Sequence, residues 1–164
     1  MDTKTKRQTT GRAEESAIRA LLDDWAAAHR AKDAGRMMAH YAERNVQFIL
    51  APPLQFSGEN AWDQDAVAKW LSTFKGPIEY DMRDVEIAAG DDVAFCHFLS
   101  RLGATPAEPI HSPDGEVYSG SFEMWSRVTL GLRKIDNRWL VTHVHSSVPF
   151  YMDGSFRAAV DLQP

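Results

Sequence analysis

Two histidines two residues apart, His143 and His145, stand near the end of the run WLVTHVHSSV that begins at Trp139. On a β-strand, residues at i and i+2 project from one face, so both imidazoles would open toward a common space. The preceding run, FEMWSRVTLGLRK from Phe122, sorts by the same rule into Glu123, Trp125, Arg127, Thr129 and Arg133 against Phe122, Met124, Val128, Leu130 and Leu132. The turn-forming pair Asp136-Asn137 divides the two runs, which together read as a long β-hairpin. In the second run Trp139, Val141, His143, His145 and Ser147 share a face, opposite Leu140, Thr142, Val144 and Ser146. A strand pair that carries histidine, arginine, glutamate and tryptophan toward one side can line a site for proton transfer, a task suited to imidazole near neutral pH.

Each of these residues has a second reading. His143 and His145 with His97 or Glu123 could make a two-histidine, one-carboxylate metal set, but the third ligand is unproved and only Asp153 follows where a cupin-type pattern needs a glutamate. No metal is assigned. The alternative is that both imidazoles are satisfied by sheet neighbours or face a dimer interface. Arg101 and Arg127 lie in otherwise apolar strands and each needs an anion, either a protein carboxylate such as Glu123, Asp24 or Asp84 or the carboxylate of a ligand. Trp25 and Trp125 are core tryptophans or pocket walls, and Tyr41, with Met37 and Met38, is core or pocket lining. Isomerisation of a ketone requires a carboxylate base and donors at the developing oxyanion; Glu123 is the base best placed, with Tyr41, His97 or His143 as donors. Ser146 and Ser147 lack the elbow and orienting acid of a nucleophilic triad. The lone Cys96, in VAFCHFL, reads as a buried, inert thiol.

The elements that must position these groups follow from periodicity. From Glu14 onward Ile18, Leu21, Leu22, Trp25 and Ala28 or His29 recur at helical spacing. Asp33 can cap a short second helix, a strand follows at Val46 to Leu50, and a third helix runs from Asn60 or Trp62 to Phe74. Four strands come next: Ile78 to Ala88, Val93 to Leu102, Tyr118 to Lys134 and Trp139 to Val148, with Gly90-Asp91-Asp92 a tight turn. Helices followed by long antiparallel strands make an α+β fold, one sheet covered on one face. The Tyr118 to Lys134 run is too long to stay flat, so a bulge near Gly120 or Gly131 is expected.

With 164 residues, 44% hydrophobic and 25% charged, the chain suits a single water-soluble domain, and a net charge of -5 argues against nucleic acid as a partner. No apolar run approaches the ~20 residues of a membrane span, so no membrane partner is expected. The opening MDTKTKRQTTGR is polar and basic without a secretory segment, which reads as a flexible tail of a cytoplasmic protein.

The succession of Trp25, Asp33, GPIEY with DVEIAAGDDVAF, His97 and Arg101, Trp125-Ser126-Arg127-Val128-Thr129, and Trp139 followed by His143-Val144-His145-Ser146-Ser147-Val148-Pro149 resembles the SnoaL-like, ketosteroid isomerase-like branch of the nuclear transport factor 2-like superfamily. The resemblance implies a cone-shaped fold over residues 14–152, between tails at 1–13 and 153–164, a pocket between helices and bent sheet, and a homodimer. Members often carry His-Glu-His where this chain has His143-Val144-His145, so a role resting on that central carboxylate is absent. The superfamily spans isomerases, cyclases, dehydratases and binding modules, so fold alone does not fix a reaction. The expected function is a small-molecule pocket protein working by acid-base chemistry as an isomerase, cyclase or hydratase, with no cofactor. His97, Glu123, His143 and His145 would move protons, while Trp25, Tyr41, Arg101, Trp125 and Arg127 would hold the ligand. The alternative is a non-catalytic ligand-binding or oligomerisation module.

Overall fold

The computed structural model describes residues 3–58, 61–111, 115 and 117–164. Helix α1 spans Thr3–Ala31, beginning well before the Glu14 start read from periodicity. Its buried stripe is Ile18, Leu21, Leu22, Trp25, Ala28 and His29, spaced three and four apart so that one side faces the sheet. The helix stops in a Schellman arrangement. Lys32 takes the left-handed φ of 54, Asp33 N donates to Ala28 O at 3.0 Å and Lys32 N to His29 O at 3.0 Å.

Asp33 then caps α2 (Ala34–Met38) by accepting from Arg36 N at 2.9 Å, as its position in the sequence suggests. Asp63 does the same for α3 (Gln64–Ser72), accepting from Ala66 N at 2.9 Å. The third helix is shorter than its apolar spacing suggested, because the chain passes straight from its end into a strand at Phe74.

The strands are β1 (Tyr41–Phe48), β2 (Phe56–Ser57), β3 (Phe74–Ala89), β4 (Val93–Pro106), β5 (Ile110–His111), β6 (Val117–Tyr118), β7 (Phe122–Ile135) and β8 (Arg138–Ser147). The main sheet has the order β2-β1-β8-β7-β4-β3, and β5 pairs only with β6. The β3, β4, β7 and β8 neighbours are antiparallel, as expected, and β1 joins β8 in parallel. Asp136 and Asn137 both have positive φ, 48 and 61, the paired left-handed turn that matches strand twist in a two-residue hairpin.

Curvature comes from irregular register. Asp84, at φ 54, sits in a shift between Arg83 and Glu86 on β3. On β7 and β8 the register slips between Gly131 and Leu132, leaving Thr142 as the extra residue opposite them. A Cβ on Gly131 would meet the His143 Cβ at 3.2 Å, so glycine is what lets the strands close up there.

That bulge corrects the face assignment of the last strand. A one-residue slip moves every later side chain to the other side. Trp139 and Val141 are therefore buried toward the helices, and after the bulge Val144 and Ser146 take over, sending His143 and His145 the other way.

The core lies between α1 and the inner face of the sheet, with Leu130, Leu132, Val141 and Cys96 fully enclosed beneath Ile18 and Leu22. Leu130→Ala should destabilise the protein by about 2–5 kcal/mol, because a side chain with no exposed surface leaves a cavity that a closely packed sheet cannot collapse around. Urea unfolding measures this, and a loss under about 1 kcal/mol would place the core elsewhere.

Candidate functional site: an aromatic hollow under the helices

Between the helices and the sheet lies a hollow of about 250 Å³. Its upper wall is Trp25 and His29 from α1, Met37 and Met38 from α2, and Val67 and Trp70 from α3 with Trp62 just before it. Tyr41 and Gln47 come from β1, Tyr80 from β3, Ser100 and Leu102 from β4, Met124, Ser126 and Val128 from β7, and Val144 and Ser146 from β8. Among the described residues no aspartate, glutamate, lysine or arginine lines this space.

Its aromatic rings brace one another. His29 stacks on Tyr80 with centroids 4.2 Å apart and meets Trp25 edge-on at 4.5 Å. Trp25 is edge-on to Tyr80 at 5.8 Å, and Trp70 to Trp62 at 6.3 Å. Such contacts fix ring orientation as well as filling volume.

The polar groups of this wall are uncharged. His29 lies 2.8 Å through Nδ1 from the Trp25 carbonyl oxygen, which can only accept, so Nδ1 is assigned the hydrogen and Nε2 keeps the lone pair. Burial pushes this imidazole down to about 4, the Trp25 carbonyl opposing and the Arg30 charge adding to the effect. Burial raises both the Tyr41 and the Tyr80 phenols well above the usual range. Tyr80 adds to the shift at Tyr41, while the Trp25 indole works the other way without reaching hydrogen-bond geometry. The buried Ser100 and Ser126 hydroxyls bond to each other at 2.8 Å, and Gln47 Nε2 donates to Asn45 Oδ1 at 2.8 Å. The indole nitrogens of Trp25 and Trp62 are buried with no hydrogen-bond partner among the described residues.

Of the candidate catalytic and ligand-binding residues, the structure brings Trp25 and Tyr41 to this hollow, beside Met37 and Met38. The others lie on the opposite face of the sheet, because the helices cover the apolar side of β7 and leave Glu123, Trp125 and Arg127 outward. Across that outer face His97 pairs in register with Thr129, and Thr129 with His145. Phe48 contacts both His143 and His145 edge-on, at 5.0 and 6.1 Å.

Arg101 finds its anions in the protein. Nη1 reaches Glu123 at 2.7 Å and Glu79 at 3.0 Å, and Nε donates to Asp81 at 2.9 Å. The Arg83 guanidinium stands 5.9 Å from the Trp125 ring. The expectation that these imidazoles and guanidinium groups open into one sheltered space is corrected by this placement. Among the described residues no three of histidine, cysteine, aspartate and glutamate converge as metal ligands.

A second charged cluster lies at the junction of α1 and α2. Asp24 accepts from Arg36 Nε at 3.0 Å and contacts His40 Nε2 at 2.7 Å. Arg36 first, then His40, holds the Asp24 carboxyl down to about 2. Cys96 is buried and its thiol is pushed up to about 12, as its apolar setting suggested.

Helical spacing places His29 four residues after Trp25 on the buried stripe, but a histidine on an apolar stripe reads from sequence as core and not as a pocket residue. Tyr80, Ser100 and Ser126 occupy inward positions of strands whose alternation was already legible.

Residues 18–151 match the SnoaL-like domain, and the chain belongs to that family. It is similar to the structure of a nuclear transport factor 2-like protein of unknown function from Pseudomonas putida KT2440, at 29% identity over 93% of this chain and 98% of that one, with a TM-score of 0.76. It also shares its fold with a protein of the same superfamily from Streptomyces avermitilis, provisionally named a dehydratase. That likeness has 13% identity, 84% and 97% coverage and a TM-score of 0.67. A third likeness is to a provisionally named scytalone dehydratase from Novosphingobium aromaticivorans, at 16% identity, 90% and 91% coverage and a TM-score of 0.66. No protein of curated description matches. Among the described residues no helix is long and apolar enough to cross a membrane.

The neutral state of His29 makes stability depend on pH. Its folded value lies below the unfolded 6.5, so the unfolded chain takes up the proton first. This contribution is complete above pH 6.5 and declines as pH falls toward 4, by up to about 3 kcal/mol. Urea unfolding at stepped pH should show a flatter profile for His29→Phe than for the wild type across that window. Parallel profiles would mean that His29 is not held neutral by burial.

Proposed function

We propose that the chain takes a small, uncharged, ring-containing organic molecule into the hollow beneath its helices and acts on it by acid-base chemistry of the isomerase or lyase kind. The observation that carries this reading is that among the described residues the wall holds no aspartate, glutamate, lysine or arginine, and its ionisable groups are two phenols, Tyr41 and Tyr80, and His29, which burial disfavours in its charged form. A charged ligand would find no counter-ion on such a wall, and its desolvation would be expensive. An uncharged ring finds aromatic faces. The hollow has room for roughly eight waters, which favours a compact ligand.

The chemistry follows from the same neutrality. Phenols that stay protonated are donors, able to hold a carbonyl oxygen as negative charge develops on it. His29 Nε2, with its lone pair, is the acceptor for the proton that leaves. Its basicity is weak, so the substrate proton must be acidified by the phenol bonded to the carbonyl. The dehydratase names of two fold neighbours agree in kind with this proton traffic.

A non-catalytic binding role is the second reading, favoured because no carboxylate lines the wall among the described residues. Uncharged cyclic hydroxy ketones and enones separate the two. With a substrate that turns over, Tyr41→Phe should lower kcat by about 100-fold with the melting temperature nearly unchanged. Compounds that raise the melting temperature with no product formed would leave binding alone, and an unchanged rate in Tyr41→Phe would remove that phenol from the chemistry.

The same reading seats a second copy of the chain on the outer sheet face, where Phe48 and Phe95 stand 37% and 53% exposed beside the histidines. Phe95→Asp, placing a charge in that contact, should convert a dimer to monomers in sedimentation velocity at micromolar protein. A wild-type chain that already sediments as a monomer rules the pairing out.

A further inference from the structure

We propose that a diagonal strip of hydroxyls across the cavity floor reads an oxygen on the ligand, so that the site takes hydroxylated or carbonyl-bearing rings in one orientation and discriminates against hydrocarbons of the same shape. This rests on the pocket reading above and names the chemistry that the pocket selects.

The strip is built by register. Ser100 on β4 stands directly opposite Ser126 on β7. Tyr80 on β3 pairs with Leu102, one inward position from Ser100, and Ser146 on β8 pairs with Val128, one inward position from Ser126. Four neighbouring strands thus each contribute one hydroxyl, displaced by one inward step at the outer two, and diagonal neighbours on a sheet face are within side-chain reach. All four residues line the hollow.

Their surroundings make this placement informative. The inward positions before and after Ser100 are Phe98 and Leu102, and those flanking Ser126 are Met124 and Val128, so alanine or valine would suit both sites by packing alone. Ser100 is 4% exposed and Ser126 8%. Their mutual bond at 2.8 Å uses one of the two hydroxyl hydrogens, and Ser100 also acts on the Tyr80 phenol, so the strip is one connected set of hydroxyls whose remaining oxygen lone pairs face the hollow. Buried hydroxyls with unmet capacity are unfavourable beside hydrocarbon unless something else completes them. A ligand oxygen seated on the strip accepts a hydrogen from it and, when it is a hydroxyl, donates its own to a serine oxygen.

The test uses 4-ethylphenol and ethylbenzene, two rings that differ by one hydroxyl, titrated calorimetrically into the wild type and the double variant Ser100→Ala, Ser126→Ala. The wild type should prefer the phenol. In the double variant the phenol-to-ethylbenzene affinity ratio should fall by about three- to tenfold, with ethylbenzene binding as before. Single Ser126→Ala carries the same expectation if the double variant does not fold. An unchanged ratio overturns the strip while leaving the pocket intact. Failure of the wild type to bind either probe overturns the pocket reading and the strip with it.

Discussion

The stripe of Ile18, Leu22, Trp25 and His29 lies against one face of the sheet, and this contact decides which side of every strand is dry. Leu130, Leu132 and Val141 can be sealed from water only on the side that α1 covers. Once the apolar residues of β7 are turned there, Glu123, Trp125 and Arg127 must face outward, because neighbours in a strand cannot share a side. The position of the cavity, its neutrality and the exposure of the outer histidines all follow from that choice.

Much of the fold was legible for the same reason. Alternation gave the long antiparallel strands, helical spacing gave the buried stripe of α1, and Asp33 announced the start of α2 through its capping chemistry. The bend near Gly131 was legible too, but its consequence was not. Reading Trp139, Val141, His143 and His145 as one series assumes an unbroken pleat, and the extra residue at Thr142 splits that series between the two faces. The site was harder still, since a polar strand face looks functional in sequence. The polar residues that line the hollow, His29, Tyr80 and Ser100, are scattered singly among hydrophobic neighbours, where one polar side chain is no signal until the third dimension collects them.

Charge is sorted by the same geometry. Asp24 with Arg36 and His40, Arg101 with its three carboxylates, and Glu14 with Lys134 at 2.8 Å all lie outside the hollow. The exposed pairs among them, such as Arg36 with Asp24, add little to stability individually. Their placement has another effect, because the interior keeps a low dielectric in which the neutral hydrogen bonds of the hollow are stronger than they would be in water.

The parallel union of β1 with β8 joins Val46 to His143, segments from opposite ends of the domain. While the chain is being made, β1 has only the two-residue strand β2 beside it until the final hairpin has formed. Closing so wide a loop carries an entropic cost that the contacts of this seam must repay. Gln47 and Tyr41 are carried on that strand, so the wall they form exists only where the two ends of the domain have met.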